Sequence, residues 1–499
     1  MLFQPRACCY AFILGLVAQC LTQELWPAAE SQNDTFNSTY GILSPDQALS
    51  LIQTANLSEA QTHAILVAVE FERSNWAGSA VQLDSFYQQV PENASAVPPG
   101  SVLKIEQQTN TSLYTLPAGV GLSRMLFTTK TLNGTTVPAS AYVLWPWLPK
   151  RFNNITGFPV VGWGHGTSGW SGECGPSQLG DWKLTCFASS IRNLWYQYSA
   201  PFTLALQGYV VVAPDYAGLG LDHDAAGNFI AHQYAANPAS GNDLIYSVKA
   251  AQVAWPTLSK EFILMGHSQG GGAAWGAAEQ LVKEPVAGYL GTIAASPLPS
   301  LIKLLQLAID SPLIWTAAAK VVAGFPSIFS SFQLSDWLSE EGVKLTNILQ
   351  GLQGCQSVAL ELLATPNLQR EGWNETWYLP AYDNLTSVGG KEFAGPMLVL
   401  HGSADMVIPE ITAATAVNAT CEALPDSRLQ YTVLEGVTHV PVLYAGQQIW
   451  LNWIANRFNG VPVGSGCVQE TLSPGLSEQT YQAEFDYTLQ YPLYAYETA

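Results

Sequence analysis

A serine near the middle of the chain lies between glycines in a G-x-S-x-G pentapeptide. Residues 266–270 read Gly-His-Ser-Gln-Gly, with Ser268 at the centre. An apolar stretch, residues 262–265, precedes the pentapeptide, and small residues follow it. This order is typical of a strand, a sharp turn and a helix, in which the turn exposes the serine hydroxyl at the strand end. The pentapeptide alone also fits an ordinary serine in a glycine-rich loop, but its context predicts that Ser268 is a nucleophile.

A serine nucleophile needs a base to accept its proton and an acid to orient that base. Asp405 follows the apolar stretch 397–400, and His439 follows the next such stretch, 429–434. Both therefore lie at predicted strand ends, as Ser268 does, in the chain order serine, acid, histidine. We expect Ser268, Asp405 and His439 to form a catalytic triad. Three residues are weaker candidates for these roles: His267, His401 and Asp383.

Attack on a carbonyl creates an oxyanion, which backbone N–H groups must stabilise. One donor is expected from Gln269, the residue after the nucleophile, and the other from the loop after the third core strand. That loop follows the apolar stretch 158–163 and contains Gly166, Thr167 and Ser168. We expect Thr167 to be the second donor. Gly166 and Ser168 remain open as alternatives, as does a plain glycine turn.

Three consecutive residues, Asp222, His223 and Asp224, could indicate a metal. Adjacent loop residues rarely converge on one ion, and the chain has no Cys-x-x-Cys pair of the kind that binds structural zinc. The sequence therefore predicts no metal site. Acyl transfer from a serine also needs no cofactor.

Apolar stretches alternate with helical patterns along most of the chain, which predicts an α/β fold with a mostly parallel central sheet flanked by helices. Residues 297–390 interrupt the alternation with amphipathic helical patterns. They predict a helical cap inserted between the sixth and seventh core strands. The predicted strands are residues 123–132, 136–144, 158–163, 209–214, 262–265, 288–294, 397–400 and 429–434, and the clearest helices are 58–73, 240–253 and 269–283.

The chain begins with Arg6 and an apolar stretch, residues 7–17. This pattern predicts a cleaved signal peptide. The alternative is a membrane anchor, but the stretch is shorter than the roughly 20 residues that span a bilayer. The predicted segments are a signal peptide (1–20), a polar N-terminal segment (21–115), the two parts of the core (116–296 and 391–460), the cap (297–390) and an acidic, tyrosine-rich C-terminal tail (461–499).

The composition excludes one class of partner and favours export. The net charge is −19, and charged residues are only 11%, against about 25% in typical domains. No basic stripe could neutralise nucleic-acid phosphates, so nucleic acid is not expected as a partner. We also expect no transmembrane segment after signal removal, and an extracellular location. Ten Asn-x-Ser/Thr sequons are candidate glycosylation sites: Asn33, Asn37, Asn56, Asn93, Asn110, Asn133, Asn154, Asn374, Asn384 and Asn418.

Five cysteines remain once the predicted signal peptide is removed. In an oxidising compartment they predict two disulfides and one free thiol, with the pairing open. They are Cys174, Cys186, Cys355, Cys421 and Cys467.

Taken in order, these motifs resemble the α/β-hydrolases, and more narrowly the fungal secretory lipases of the lipase A type. The resemblance covers roughly residues 83–460. It is carried by Phe-Tyr at 86–87, Pro-Pro-Gly at 98–100, Gly-His-Gly-Thr at 164–167, Cys-Gly-Pro-Ser at 174–177, where glycine replaces the family's alanine, residues 211–220, the serine pentapeptide, the Asp405 loop and Thr438-His439.

The resemblance implies a secreted carboxylic ester hydrolase acting on an ester or lipid substrate, with action at a lipid–water interface left open. It implies that residues 297–390 cap the acyl site and that Cys174 pairs with Cys355. Four aromatic residues are then either acyl-tunnel residues or packing within the cap: Trp315, Phe325, Phe329 and Phe332. The same residues would also suit an acyltransferase, or a serine aminopeptidase using Glu340 or Glu341 to bind an ammonium group. A third alternative is an inactive binding module.

Overall fold

The fold is described from a computed structural model. The structure describes residues 43–169, 171–179, 194–307, 321–363, 365 and 368–481. The predicted signal peptide, the end of the C-terminal tail (482–499) and four residues singled out above lie outside the described residues: Asn33, Asn37, Cys186 and Trp315.

The described residues form one ten-stranded sheet, with the strand order β1-β2-β3-β5-β4-β6-β7-β8-β9-β10. The pairs β1–β2, β2–β3 and β3–β5 are antiparallel. Every other neighbouring pair, from β5 to β10, is parallel. The predicted α/β class and mostly parallel sheet are therefore confirmed. The strands are β1 Val102–Glu106, β2 Val120–Lys130, β3 Thr136–Pro146, β4 Phe158–Gly164, β5 Val210–Pro214, β6 Leu258–His267, β7 Tyr289–Ala295, β8 Met397–Gly402, β9 Leu429–Leu434 and β10 Cys467–Leu472.

Helices cover both faces of the sheet, because successive residues of the central strands point to opposite sides. In β6, Ile263 and Met265 pack in the core beneath α5 and α14, while Phe262 and Leu264 pack beneath α6 and α7. Within the described ranges, no helix is long and apolar enough to cross a membrane. The helices are α1 Pro45–Ile52, α2 Glu59–Ser74, α3 Ser85–Gln88, α4 Leu194–Ser199, α5 Pro201–Leu206, α6 Asn237–Ala254, α7 Gln269–Lys283, α8 Leu301–Leu307, α9 Glu340–Gly351, α10 Gln356–Leu363, α11 Tyr378–Thr386, α12 Glu410–Ala423, α13 Pro441–Ala445 and α14 Gln447–Phe458.

The insertion between β7 and β8 carries helices α8 to α11. These are the strands predicted as the sixth and seventh; the count shifts because β1 was not predicted. The insertion has its own aromatic core, in which Phe325 packs on Phe329, Phe332 and Trp337 at ring-centroid distances of 4.8–5.5 Å. For these three phenylalanines, the structure favours packing within the cap over lining an acyl tunnel.

Residues 43–115, the described part of the predicted N-terminal segment, pack against both the cap and the sheet. Helices α1 and α2 share one buried cluster with cap helices α9 and α10. Strand β1, which also lies in this segment, pairs with β2 at one end of the sheet. The prediction of a helix near residues 58–73 is confirmed by α2, whose N-cap is Ser58.

Residues 467–472, within the predicted C-terminal tail, form a strand that the sequence did not predict. Strand β10 pairs in parallel with β9 along its whole length. Most of its side chains are exposed, so the sequence contains no apolar stretch that would predict this strand. Backbone hydrogen bonds and the Cys421–Cys467 disulfide hold it at the sheet edge.

Candidate active site

Ser268 lies in the sharp turn between β6 and α7, as the pentapeptide predicts. Its backbone adopts φ 60° and ψ −121°, a conformation that non-glycine residues rarely take. A Cβ at Gly266 would come within 2.0 Å of the Gly270 carbonyl oxygen, and one at Gly270 within 2.0 Å of the Gly164 oxygen. The two glycines are therefore required for the turn to form against β4. The turn leaves Ser268 half-buried at the carboxyl end of β6.

Asp405 and His439 meet in a hydrogen bond at the same edge of the sheet. Asp405 follows β8 and His439 follows β9, and Nδ1 of the imidazole lies 2.7 Å from Oδ2 of the carboxylate. The Asp405 side chain is fully buried, whereas that of His439 is 12% exposed. Because Nδ1 faces the carboxylate, Nε2 is the ring nitrogen left to accept a proton from a nucleophile.

The Asp405 carboxylate is fixed through both of its oxygens. Oδ1 accepts hydrogen bonds from the backbone N–H groups of Val407 and Ile408 at 2.9 and 2.8 Å. Nε2 of buried His401 lies 3.3 Å from Oδ2. Burial raises the pKa of Asp405, but the charge of His439 and hydrogen bonds from both histidines outweigh it and lower the pKa well below its usual range. His401 is thus part of the site's support.

His267 connects the serine turn to His439. Its Nε2 lies 2.9 Å from the backbone oxygen of His439, and the two rings are 4.6 Å apart. Burial lowers the pKa of His267 to about 3, which keeps it neutral at ordinary pH. The residue beside Ser268 thus contacts the residue predicted as its base, and the three predicted triad residues lie at the same edge of the sheet.

The two residues predicted as oxyanion donors lie on either side of this edge. Thr167 belongs to the loop after β4, and Gln269 is the first residue of α7. In the part of the chain that the structure describes, neither backbone N–H donates a hydrogen bond. A free N–H is normal in the first turn of a helix. In the loop after β4, the Thr167 N–H is available to donate a hydrogen bond to a ligand.

A disulfide joins the Thr167 loop to the cap. Cys174 pairs with Cys355, the residue before α10, as the lipase resemblance implied. Nearby, the Ser171 hydroxyl donates to the Gln353 carbonyl at 2.9 Å, and Gly169 forms a β-bridge with Cys355. The loop is therefore fixed to the cap by covalent and polar contacts together.

The remaining candidates take structural positions. Asp222 accepts from the Gly172 N–H at 3.0 Å, while Asp224 accepts from the Asn228 backbone N–H at 2.9 Å. The Asp222 and Asp224 carboxylates therefore stabilise different turns. Among the described residues, no cluster of histidine, cysteine and acidic side chains could hold a metal. Glu340 and Glu341 are exposed on the first turn of α9, and Asp383 accepts from the Ser300 hydroxyl at 2.5 Å.

A family model described as the alpha/beta hydrolase family matches residues 162–449, more than half of the chain. The chain belongs to the alpha/beta hydrolase family. The matched range of this hydrolase contains Ser268, Asp405 and His439.

Individual relatives agree with this assignment. The hydrolase is 24% identical over 317 residues to Lipase 4 of Candida albicans, a match that covers 59% of this chain and 64% of that relative. Its fold is similar to that of Candida antarctica lipase A in its closed state, with a TM-score of 0.61, 17% identity, and coverage of 80% of this chain and 92% of that one. The fold also matches LipA of Xanthomonas oryzae, a rice cell wall degrading esterase, with a TM-score of 0.52, 17% identity, and coverage of 72% and 98%. The resemblance of the fold to that of lipase A is confirmed.

Three buried residues at the site of this hydrolase were not found from the sequence. His232 contacts the Gln269 side chain, Tyr234 contacts Thr167, and Glu173 holds the Thr167 loop to residue Val81. No periodicity or motif spacing in the sequence marks these residues as part of the site.

Proposed function

We propose that this chain is a secreted serine carboxylic ester hydrolase of the lipase or esterase type. The observation that carries the proposal is the Asp405–His439 hydrogen bond beside the strained Ser268 turn. The names of the relatives, two lipases and an esterase, support the same class of substrate.

In the proposed reaction, Ser268 attacks the ester carbonyl while His439 Nε2 accepts its proton. Asp405 holds Nδ1 of the imidazole and stabilises its charged form. The N–H groups of Thr167 and Gln269 stabilise the oxyanion. His439 then returns the proton to the leaving alcohol, and a water molecule hydrolyses the acyl-enzyme by the same route.

The proposed compartment is extracellular. The predicted signal peptide, the two disulfides and the sequons support export, because disulfides persist in oxidising compartments. We therefore expect the chain to act on esters outside the cell, without a metal or another cofactor.

The test is hydrolysis of p-nitrophenyl esters from acetyl to palmitoyl by the wild-type chain, Ser268→Ala and Ser259→Ala. Ser259 lies at the other end of β6 and hydrogen-bonds to Glu261, so its variant is a matched control that should keep full activity. Ser268→Ala should lose activity by about 10⁶-fold, as expected for a triad nucleophile. Turnover that rises toward long chains would indicate a lipase, and turnover of short chains alone an esterase.

A second readout does not depend on choosing the right substrate. A fluorophosphonate probe should attach covalently to Ser268, and mass spectrometry should locate it in the peptide that contains residues 266–270. A folded chain that neither hydrolyses these esters nor reacts with the probe would contradict the proposal. Probe labelling without ester hydrolysis would direct attention to aminoacyl anilides and acyl transfer.

A further inference from the structure

Three consecutive buried residues lie between the proposed oxyanion hole and the cap. His232, Gln233 and Tyr234 belong to the connection from β5 to α6 and are only 3–6% exposed. We call them the 232–234 segment. Buried polar side chains without regular secondary structure need specific partners, and the partners here lie on two sides.

On one side, the segment contacts both proposed oxyanion donors. The Tyr234 phenol lies 2.8 Å from the Thr167 hydroxyl. Gln269 Nε2 lies 3.1 Å from His232 Nε2. Since His232 Nδ1 lies 3.1 Å from the Ala217 carbonyl, which can only accept, Nδ1 carries the hydrogen and Nε2 accepts from the Gln269 amide. The 232–234 segment therefore contacts both Thr167 and Gln269, although these two residues belong to different elements.

On the other side, the segment contacts the cap. The Tyr382 hydroxyl of α11 donates to the Tyr234 carbonyl at 2.6 Å. Gln233 Nε2 donates to the Ser327 hydroxyl at 3.1 Å. The Tyr234 side chain itself belongs to the aromatic core of the cap. A chain of contacts therefore runs from the cap through Tyr234 to Thr167.

Thr167 needs such a support more than Gln269 does. Gln269 is held at the start of α7, whereas residues 165–168 have no regular secondary structure. An oxyanion donor must be held within about 0.5 Å of its working position. A hydrogen bond that fixes the Thr167 side chain also restricts the backbone rotation that directs its N–H.

Resting on the proposed function, we infer that Tyr234 is a positioning residue of the oxyanion hole and couples the packing of the cap to the placement of the Thr167 N–H. Tyr234 touches no reacting atom in this scheme. It acts through Thr167, and Tyr382 fixes it from the cap.

The test is Tyr234→Phe, which keeps the ring and removes only the hydroxyl. We expect kcat for a p-nitrophenyl ester to fall about tenfold, less than the 10²–10³-fold loss seen when a donor itself is removed. KM should change less than twofold. The inhibition constant of a phenylboronic acid, whose tetrahedral adduct with Ser268 carries the negative charge, should rise about tenfold in parallel with the fall in kcat, because both report oxyanion stabilisation.

Tyr289→Phe is the matched control. Tyr289 also pairs with a threonine hydroxyl, at 2.6 Å from Thr292, but at the opposite end of the sheet. Its variant should lower the melting temperature as much as Tyr234→Phe does and leave kcat and boronate inhibition unchanged. If Tyr234→Phe behaves in the same way as this control, the positioning role is overturned.

Two further variants test the chain of contacts. In a Thr167→Val background, Tyr234→Phe should have no additional effect on kcat, because its partner is already absent. Tyr382→Phe should lower kcat in the wild-type background and add nothing to Tyr234→Phe. Full kcat in Tyr382→Phe would overturn the coupling to the cap, and additive effects of Tyr234→Phe and Thr167→Val would overturn the proposed route. A wild-type chain inactive toward esters would instead contradict the proposed function itself.

Discussion

At the scale of single residues, the Asp405 carboxylate has two histidine partners with different roles. His439 is the proposed base, whereas His401 is fully buried and also lies 2.9 Å from the Ile408 carbonyl. We expect His401→Met to lower kcat/KM about tenfold, because Asp405 loses a donor that fixes its orientation, and to destabilise the fold by about 1–3 kcal/mol. Steady-state kinetics and urea unfolding measure the two effects.

His401→Gln is the conservative control, since its amide can place an N–H near the position of Nε2. This variant should recover most of the lost kcat/KM. Equal activity of the Met and Gln variants would show that the hydrogen bond to Asp405 does not matter for catalysis.

Glu173 predicts a pH dependence of stability. Burial raises its pKa from 4.5 to about 7, although hydrogen bonds from Gln178 and the Val81 N–H oppose the shift. Between pH 4.5 and about 7, Glu173 keeps a proton in the folded chain that the unfolded chain has released. The free energy of unfolding therefore falls as the pH rises through this range, and the loss is complete above about pH 7. Glu173→Gln should therefore be more stable than wild type by about 1–3 kcal/mol at pH 8 and equal to it at pH 4.5.

Urea unfolding at both pH values measures this difference. Glu422→Gln, on the exposed surface of α12, should show no difference at either pH. A stabilisation by Glu173→Gln that does not change with pH would contradict the assigned cause.

The positions of the three proposed triad residues could be predicted from the sequence because each follows an apolar stretch that becomes a strand. Strand ends converge at one sheet edge, so the chain order alone brought Ser268, Asp405 and His439 together. The support around them could not be found in this way. Tyr234 and Glu173 act across gaps in the sequence of 67 and 92 residues, and only the fold decides which loops meet.

At the scale of elements, the N-terminal helices hold the cap. Glu72 of α2 accepts hydrogen bonds from the Cys355 and Val358 N–H groups at 2.6 and 2.9 Å. A carboxylate in this position stabilises the free N–H groups at the start of α10. We expect Glu72→Ala to lower the free energy of unfolding by about 2 kcal/mol, measured by urea denaturation. Glu340→Ala, at an exposed position on α9, should change it by less than about 0.5 kcal/mol.

If Glu72→Ala and Glu340→Ala unfold at the same urea concentration, the buried carboxylate does not stabilise the start of α10. The contact would then be incidental to the packing of α1 and α2 on the cap.

Elements with an apolar, periodic pattern could be predicted. Elements held in place by contacts with other parts of the chain could not. The pentapeptide gave α7 with the bounds 269–283. Strand β10 reads Cys-Val-Gln-Glu-Thr-Leu and is mostly exposed, so its pairing with β9 leaves no trace in hydropathy. The sequence at the start of helix α1 does contain a helix signal, the capping box between Ser44 and Gln47. This signal was missed because it lies in a short polar segment.

At the scale of the whole molecule, the surface has few charges and many exposed sequons. Charged residues make up 11% of the chain, about half of the usual share. The eight sequon asparagines within the described residues are all exposed: Asn56, Asn93, Asn110, Asn133, Asn154, Asn374, Asn384 and Asn418. Glycans at these positions would supply the hydration that side-chain charges do not.

We therefore expect glycosylation at these asparagines when the chain is expressed in a eukaryotic secretory host. Enzymatic release of N-glycans in ¹⁸O water converts a glycosylated asparagine to labelled aspartate, which peptide mass spectrometry detects. Asn154 should carry the label, and its exposed neighbour Asn153, which is not in a sequon, should not. The deglycosylated chain should also aggregate at a lower temperature than the glycosylated one, because the single aspartate charge left at each site replaces only part of the hydration that the glycan supplied. Exported protein with unlabelled asparagines and unchanged aggregation would show that these sequons are not used and that the acidic surface alone keeps the chain in solution.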